Sequence, residues 1–205
     1  AKLAHGISDN LLACVARVFE PGAKVDAVLV LEGPQGAGKS TLLNVLGGDW
    51  YAAAIVALGD KDSKMMAGGN WIIELPDMAS FKKSERNAMK AFLTTRVDTM
   101  RLPYGKDIVS IPRRCVFVTT TNDDDYLDDP TGHRRYWPVR VHLINSSALL
   151  RDRDQIWAEI VALYLEHRDC AECKKEENGV WNEHYRCSKH RWWLTKDIEK
   201  AAAIE

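Results

Sequence analysis

The sequence lacks several features that would each place it in a special class of protein. No stretch approaches the ~18 to 20 consecutive apolar residues that a membrane-spanning helix needs. No signal-peptide pattern opens the chain, and neither a low-complexity tract nor an internal repeat occurs in it. The formal net charge is only −1, so the bulk charge does not favour nucleic acid. These absences predict a globular cytoplasmic protein with no membrane partner, in which any nucleic-acid contact is local.

A disulfide framework is also missing. The chain has five cysteines, and an odd number fits a reducing compartment better than a set of bridges. Cys14 lies on the apolar side of a helical pattern, and Cys115 lies in an apolar strand pattern. We therefore expect both to be buried thiols without a chemical role.

The length and apolar content allow one substantial core. The chain has 205 residues, 46% of them hydrophobic, which suffices for one domain with a small appendage. It begins at Ala1 without a methionine and stops within a helical pattern, so we expect a fragment of a longer protein.

The most specific motif is a glycine-rich loop that fits G-x-x-x-x-G-K-[ST]. An apolar run at 27–31 precedes it, and a helical pattern that stops at Gly47 follows. This order predicts a phosphate-binding loop for ATP, with Lys39 on the β- and γ-phosphates and the Ser40 hydroxyl on Mg²⁺. The candidate ATP-binding residues are Gly33, Pro34, Gln35, Gly36, Ala37, Gly38, Lys39, Ser40 and Thr41.

Strand and helix patterns alternate along the chain, which predicts an α/β fold with a three-layer parallel sheet. The predicted strands are 27–31, 51–56, 71–73, 115–121 and 136–141. Besides the helix that follows the loop, the predicted helices are 8–20, with Ser8 or Asp9 as N-cap, 84–95 and 153–165.

Two polar residues stand where predicted strands end. Ligands of open parallel sheets bind at the carboxyl ends of the strands, so Glu74 and Asn122 are expected near the loop. Phosphate-loop hydrolases need an acid for Mg²⁺ or the attacking water and a polar group to orient that water. Glu74 suits the first role and Asn122 the second. Asp77, three residues after Glu74, is an alternative acid, and which acid serves the metal and which the water stays open.

Arg134 and Arg135 follow an acidic turn at 123–129. A guanidinium delivered to the γ-phosphate can stabilise the charge of the transition state. The alternative is ion pairing with the acids nearby, since the turn at 123–129 holds five of them.

The segment 82–114 carries nine lysines or arginines against three acids. Within it, the turn 103–106 separates two strand patterns at 98–102 and 108–111, which predicts a hairpin. Tyr104 and Lys106 at its tip are candidates to stack on a base and contact a DNA phosphate. The alternative is an ordinary solvated charged face.

The remaining cysteines form two spaced pairs, Cys170-x-x-Cys173 and Cys187-x-x-His190, around a polar stretch. Thiolates and imidazoles at this spacing are typical of a tetrahedral structural Zn²⁺ site. His184 and His167 are spare candidates, and solvent-facing cysteines on an insertion are the alternative. We therefore divide the chain into an ATPase core at 1–165 and an extension at 166–205 that holds a small Cys/His insertion at 170–190.

Several ordered segments resemble the virulence-associated protein E family, which are phage, prophage and genomic-island replication ATPases related to superfamily three helicases. The resemblance spans roughly residues 10 to 165 and includes WIIELPDM, FLTTRVDTMRLPYGK, PRRCVFVTTTN, DPTGHRRYWPV and RDQIWAEIVALY. It implies an AAA+-like P-loop NTPase core that forms a hexameric ring around single-stranded or forked DNA in a bacterial host. It also implies that Glu74 is the strand acid, Asn122 the sensor, and Arg134 or Arg135 a finger reaching the neighbouring subunit.

The resemblance therefore predicts a DNA-stimulated ATPase of the replicative helicase type. Two other functions share the phosphate loop: an ATP-gated switch that binds or loads DNA without unwinding it, and a small-molecule kinase. The kinase is disfavoured by Asn122 at a strand end and by the basic hairpin. The resemblance does not extend to the zinc candidates.

Overall fold

The computed structural model describes residues 2–53, 60–75, 83–103, 105–122 and 135–169. The helices are α1 Lys2–Phe19, α2 Lys39–Gly47, α3 Lys61–Gly69, α4 Lys83–Thr94 and α5 Ser146–Asp169. The strands are β1 Val28–Glu32, β2 Tyr51–Ala53, β3 Ile72–Leu75, β4 Val97–Arg101, β5 Ile108–Pro112, β6 Val116–Thr121 and β7 Tyr136–Arg140. Among these residues, no helix is long and apolar enough to cross a membrane.

Five strands form one parallel sheet in the order β2-β3-β6-β1-β7. The strand β1 lies between β6 and β7, so the loop that leaves β1 emerges beside the end of β6. The predicted parallel sheet is confirmed.

Both faces of the sheet are covered by helices. Side chains alternate along β1, so Leu29 and Leu31 pack with α1, α2 and α5, whereas Val28 and Val30 pack with α3 and α4. This burial on two sides explains why the strand reads as a continuous apolar run. The result is a three-layer α/β arrangement.

Two helices are longer than the sequence patterns predict. The helix α1 begins at Lys2, so the expected N-cap at Ser8 or Asp9 is wrong. The added turns begin with the good helix formers Lys2, Leu3 and Ala4, and Gly6 costs only about 1 kcal/mol relative to alanine. The helix α5 begins at Ser146, after Asn145, whose side chain accepts a hydrogen bond from the Ala148 N–H at 3.0 Å. Charged residues in its first turns obscure the apolar periodicity there.

The helix α3 was not predicted. Its N-cap is Asp60, a residue type that favours this position, and the Asp60 side chain accepts a hydrogen bond from the Ser63 N–H at 2.7 Å. The helix has little apolar periodicity and ends in two glycines, and both features hide it from a pattern search.

The predicted hairpin is confirmed as the antiparallel pair β4–β5. A buried ion pair fastens its base, with the guanidinium of Arg113 bonded to Asp98 at 2.5 and 2.8 Å. Arg113 also donates to the Phe92 carbonyl and lies over the Phe92 ring. Arg113 is 1% exposed and Asp98 3%, so this arginine of the basic segment is unavailable to a ligand.

The two expected buried thiols are confirmed. Cys14 and Cys115 are both free cysteines in the core. Burial raises the pKa of Cys14 and raises that of Cys115 to about 11, so both remain protonated and unreactive at neutral pH.

Candidate functional site

The glycine-rich loop makes a tight turn between β1 and α2. Gly33 has φ +154°, and a Cβ at this position would lie 2.0 Å from the Val141 carbonyl oxygen. Gly38 has φ +88° and caps α2, which begins at Lys39. Only glycine tolerates these conformations and this close approach, so the loop shape depends on the residues that define the motif.

Lys39 lies folded back into the loop, with only 8% of its surface exposed. Its Nζ donates to the carbonyl oxygens of Gly33 and Pro34 at 2.5 and 3.0 Å. It also donates to Oδ1 of Asn122 at 2.9 Å. Two residues predicted from separate motifs, 83 positions apart, are therefore in direct contact.

Glu74 lies close to the first turn of α2. Its side chain is 7% exposed, and its Oε1 accepts a hydrogen bond from the Ser40 hydroxyl at 2.8 Å. The Thr120 hydroxyl donates to the same oxygen at 2.9 Å, and the Tyr51 hydroxyl donates to Oε2. A buried carboxylate is thus held by three hydroxyl donors, which offset the cost of burying its charge.

The sheet register explains this meeting. Glu74 pairs with Ala53 on one side and Val118 on the other. Tyr51 and Thr120 are each two residues from those partners, so their side chains point to the same face of the sheet as Glu74. Since α2 covers that face, Ser40 completes the group.

Tyr51 and Thr120 were not predicted as site residues. Tyr51 lies outside every segment that carries the resemblance, and Thr120 lies in PRRCVFVTTTN without a predicted role. The contact of both with Glu74 depends on which strands are neighbours. Burial and the hydrogen bond to Glu74 raise the pKa of Tyr51 above its usual value, so the phenol keeps its proton at neutral pH. For Thr120, the available signal was its place two residues before Asn122 on a strongly predicted strand.

Arg135 lies far from the loop of its own chain. It precedes β7, whose first residue pairs with Val28 at the start of β1. Gly33 lies five residues after Val28, at the other end of β1, and is therefore roughly 16 Å away at about 3.3 Å per residue. The Nε atom of Arg135 is buried and has no hydrogen-bond partner among the described residues.

The other predicted residues are only partly covered by the described ranges. Lys106 is exposed at the turn of the β4–β5 hairpin. Asp77, Arg134, Tyr104, Cys170, Cys173, Cys187 and His190 lie outside the described residues. Within the part of the chain that the structure describes, no cluster of three or more His, Cys, Asp or Glu residues could hold a metal. The zinc site therefore stays a prediction.

The fold and the site define an α/β protein in which a glycine-rich loop and its lysine meet an asparagine and a buried glutamate at the carboxyl edge of a parallel sheet. The sequence matches the virulence-associated protein E-like domain over residues 5–202. The chain therefore belongs to this family, as the resemblance predicted. Among curated proteins, no sequence matches this chain.

A solved structure shares the fold. The A-form apo structure of the NrS-1 C-terminal region has a TM-score of 0.52 and 14% sequence identity, covering 74% of this chain and 40% of that one. A second structure of that region, residues 305–718, gives a TM-score of 0.47 at 14% identity, covering 72% and 39%. This chain thus spans about 40% of the first structure's length. At this identity, the likeness concerns the fold alone.

Proposed function

We propose that the chain is the ATP-hydrolysing core of a DNA-stimulated motor of the replicative helicase type, in which the glycine-rich loop is a phosphate-binding loop. The main support is the convergence of four predicted residues: Lys39 contacts Asn122, and Ser40 contacts Glu74. Loop, acid and polar sensor are the parts that phosphate-loop hydrolysis requires.

Each residue has a distinct role in the proposed reaction. The backbone N–H groups of the loop and the N-terminus of α2 hold the phosphates, and Lys39 compensates the charge of the β- and γ-phosphates. Ser40 suits a bound Mg²⁺, with Glu74 or Asp77 as its acid partner, because hydroxyl and carboxylate oxygens are its preferred protein ligands. A Mg²⁺ there would neutralise charge on the phosphates. Glu74, or Asp77 as the alternative, orients the attacking water together with Asn122.

The hydrolysis reaction can be tested directly. Phosphate release from ATP should be measurable with the purified chain and should rise when single-stranded DNA is added. A strand-separation assay then distinguishes a motor from an ATP-gated switch that only binds or loads DNA. Phosphate transfer to a small molecule in place of water would instead identify a kinase and contradict the proposal.

The β4–β5 hairpin is the proposed DNA contact. Its turn exposes Lys106, and its base is joined to β6, the strand that leads to Thr120 and Asn122. This continuous connection gives a physical route by which DNA at the hairpin could alter the ATP site.

Replacing Lys106 with alanine should weaken binding of single-stranded DNA and reduce its stimulation of ATP hydrolysis. With one phosphate contact fewer, DNA binding releases fewer counterions. The slope of log affinity against log salt concentration should therefore become shallower by about one unit. Fluorescence anisotropy at several salt concentrations measures both effects. Lys61→Ala, an exposed lysine at the start of α3, is the matched control. An unchanged slope would assign the hairpin turn to other contacts.

A ring, proposed as a hexamer, would let an arginine serve the site of a neighbouring subunit. Arg135 lies before the amino end of β7, whereas the loop follows the carboxyl end of the neighbouring strand β1. This separation is incompatible with contact in cis but compatible with contact in trans. Arg134 is the alternative finger.

Mixing two inactive variants tests this role. Subunits carrying Lys39→Ala and subunits carrying Arg134→Ala or Arg135→Ala should each be inactive alone but recover part of the hydrolysis when mixed. The recovery arises because some interfaces then pair an intact loop with an intact arginine. Phosphate release against mixing ratio measures it. Absence of recovery in rings shown to be mixed would indicate a structural role for both arginines.

A further inference from the structure

Tyr51 is held in a fixed place beside the proposed ATP site. It follows the 3₁₀ turn Gly48–Trp50 and opens the edge strand β2. A Cβ on Gly47, the last residue of α2, would lie 2.9 Å from the Tyr51 Cβ, so the helix end packs directly against this side chain. The side chain is half-buried and packs against the core cluster that contains Leu46 and Ile72.

The carboxylate of Glu74 offers about four acceptor positions, two on each oxygen. Ser40 and Thr120 donate to Oε1, and Tyr51 donates to Oε2. The fourth acceptor position is on Oε2, the same oxygen that accepts the Tyr51 hydrogen bond. A water bound at that position would therefore be oriented by an oxygen whose direction depends on Tyr51.

The three hydroxyls hold the two carboxylate oxygens unequally. Ser40 and Thr120 both donate to Oε1, whereas Tyr51 is the hydroxyl among the described residues that donates to Oε2. Anchors on both oxygens fix the carboxylate plane, whereas anchors on Oε1 alone allow it to rotate about that oxygen.

We propose that Tyr51 is a positioning residue that fixes the Glu74 carboxylate toward the attacking water. The inference rests on the proposed ATP hydrolysis and adds to it a residue that no motif contains.

Tyr51→Phe removes one oxygen atom and keeps the ring, which packs against the core. We expect kcat for ATP hydrolysis to fall by about 10- to 100-fold, because small errors in the position of a reacting group are costly, while KM for ATP changes less than about twofold. The matched control is Tyr164→Phe. The Tyr164 hydroxyl also donates to a carboxylate, that of Glu20, and neither residue belongs to the proposed ATP site. The control should retain wild-type kcat.

A double-mutant cycle separates positioning from general structural damage. If Tyr51 acts through Glu74, Tyr51→Phe should change the residual single-turnover rate less than about twofold when Glu74→Gln is already present. An equal loss in both backgrounds, or a KM rise with unchanged kcat, would overturn the inference. An active wild type with an unchanged Tyr51→Phe variant would overturn it while leaving the proposed function intact. No hydrolysis by the wild type, with or without DNA, would remove both.

Discussion

Lys39→Ala should abolish measurable ATP hydrolysis. The variant removes the cation that the loop would direct at the β- and γ-phosphates, and loss of one such stabilising group typically costs about 10²- to 10³-fold in rate. Phosphate release with and without DNA measures the effect, and binding of a fluorescent ATP analogue shows whether affinity falls as well.

Structural damage must be distinguished from this loss. Lys39 donates to the Gly33 and Pro34 carbonyls, so the variant also removes loop hydrogen bonds, each with a net worth of about 1 kcal/mol. Lys64→Ala is a suitable control, because the Lys64 Nζ donates to the Thr99 carbonyl at 3.3 Å on an exposed surface. Hydrolysis at the wild-type rate by a folded Lys39→Ala protein would contradict the phosphate-loop assignment.

Glu74→Gln should retain ATP binding but lower hydrolysis by about 10²- to 10⁴-fold, the range typical of a lost general base. The amide has the same shape and can still accept hydrogen bonds through its oxygen. The Ser40, Thr120 and Tyr51 hydroxyls can rotate to satisfy its NH₂ group, so the fold should persist. Binding and single-turnover hydrolysis, measured separately, distinguish the two effects.

The control for Glu74→Gln is Glu159→Gln. Glu159 lies exposed on α5 and accepts one hydrogen bond from Gln155 at 3.0 Å, so its charge can be removed without touching the site. If Asp77→Asn stops hydrolysis and Glu74→Gln does not, the acid is Asp77, and the hydroxyls around Glu74 have a structural role.

Local patterns were sufficient to predict the loop, most of the strands and the hairpin. The apolar run at 27–31 predicted β1 because a strand buried on both faces needs apolar side chains at every position. The glycines of the loop predicted a tight turn, and Gly33 does meet Val141 so closely that no side chain fits. The patterns failed for α3, whose signal is a single N-cap and little apolar periodicity.

The sequence by itself determined that a lysine, a serine, a glutamate and an asparagine each stand within one residue of the end of an element, because motif and strand pattern are local properties. Only the tertiary structure decided which of them meet. The order β2-β3-β6-β1 places β6 between the acid's strand and the loop's strand, and the register then aims Tyr51 and Thr120 at Glu74. Strand order and register arise from packing between residues far apart in the chain, and no local pattern encodes them.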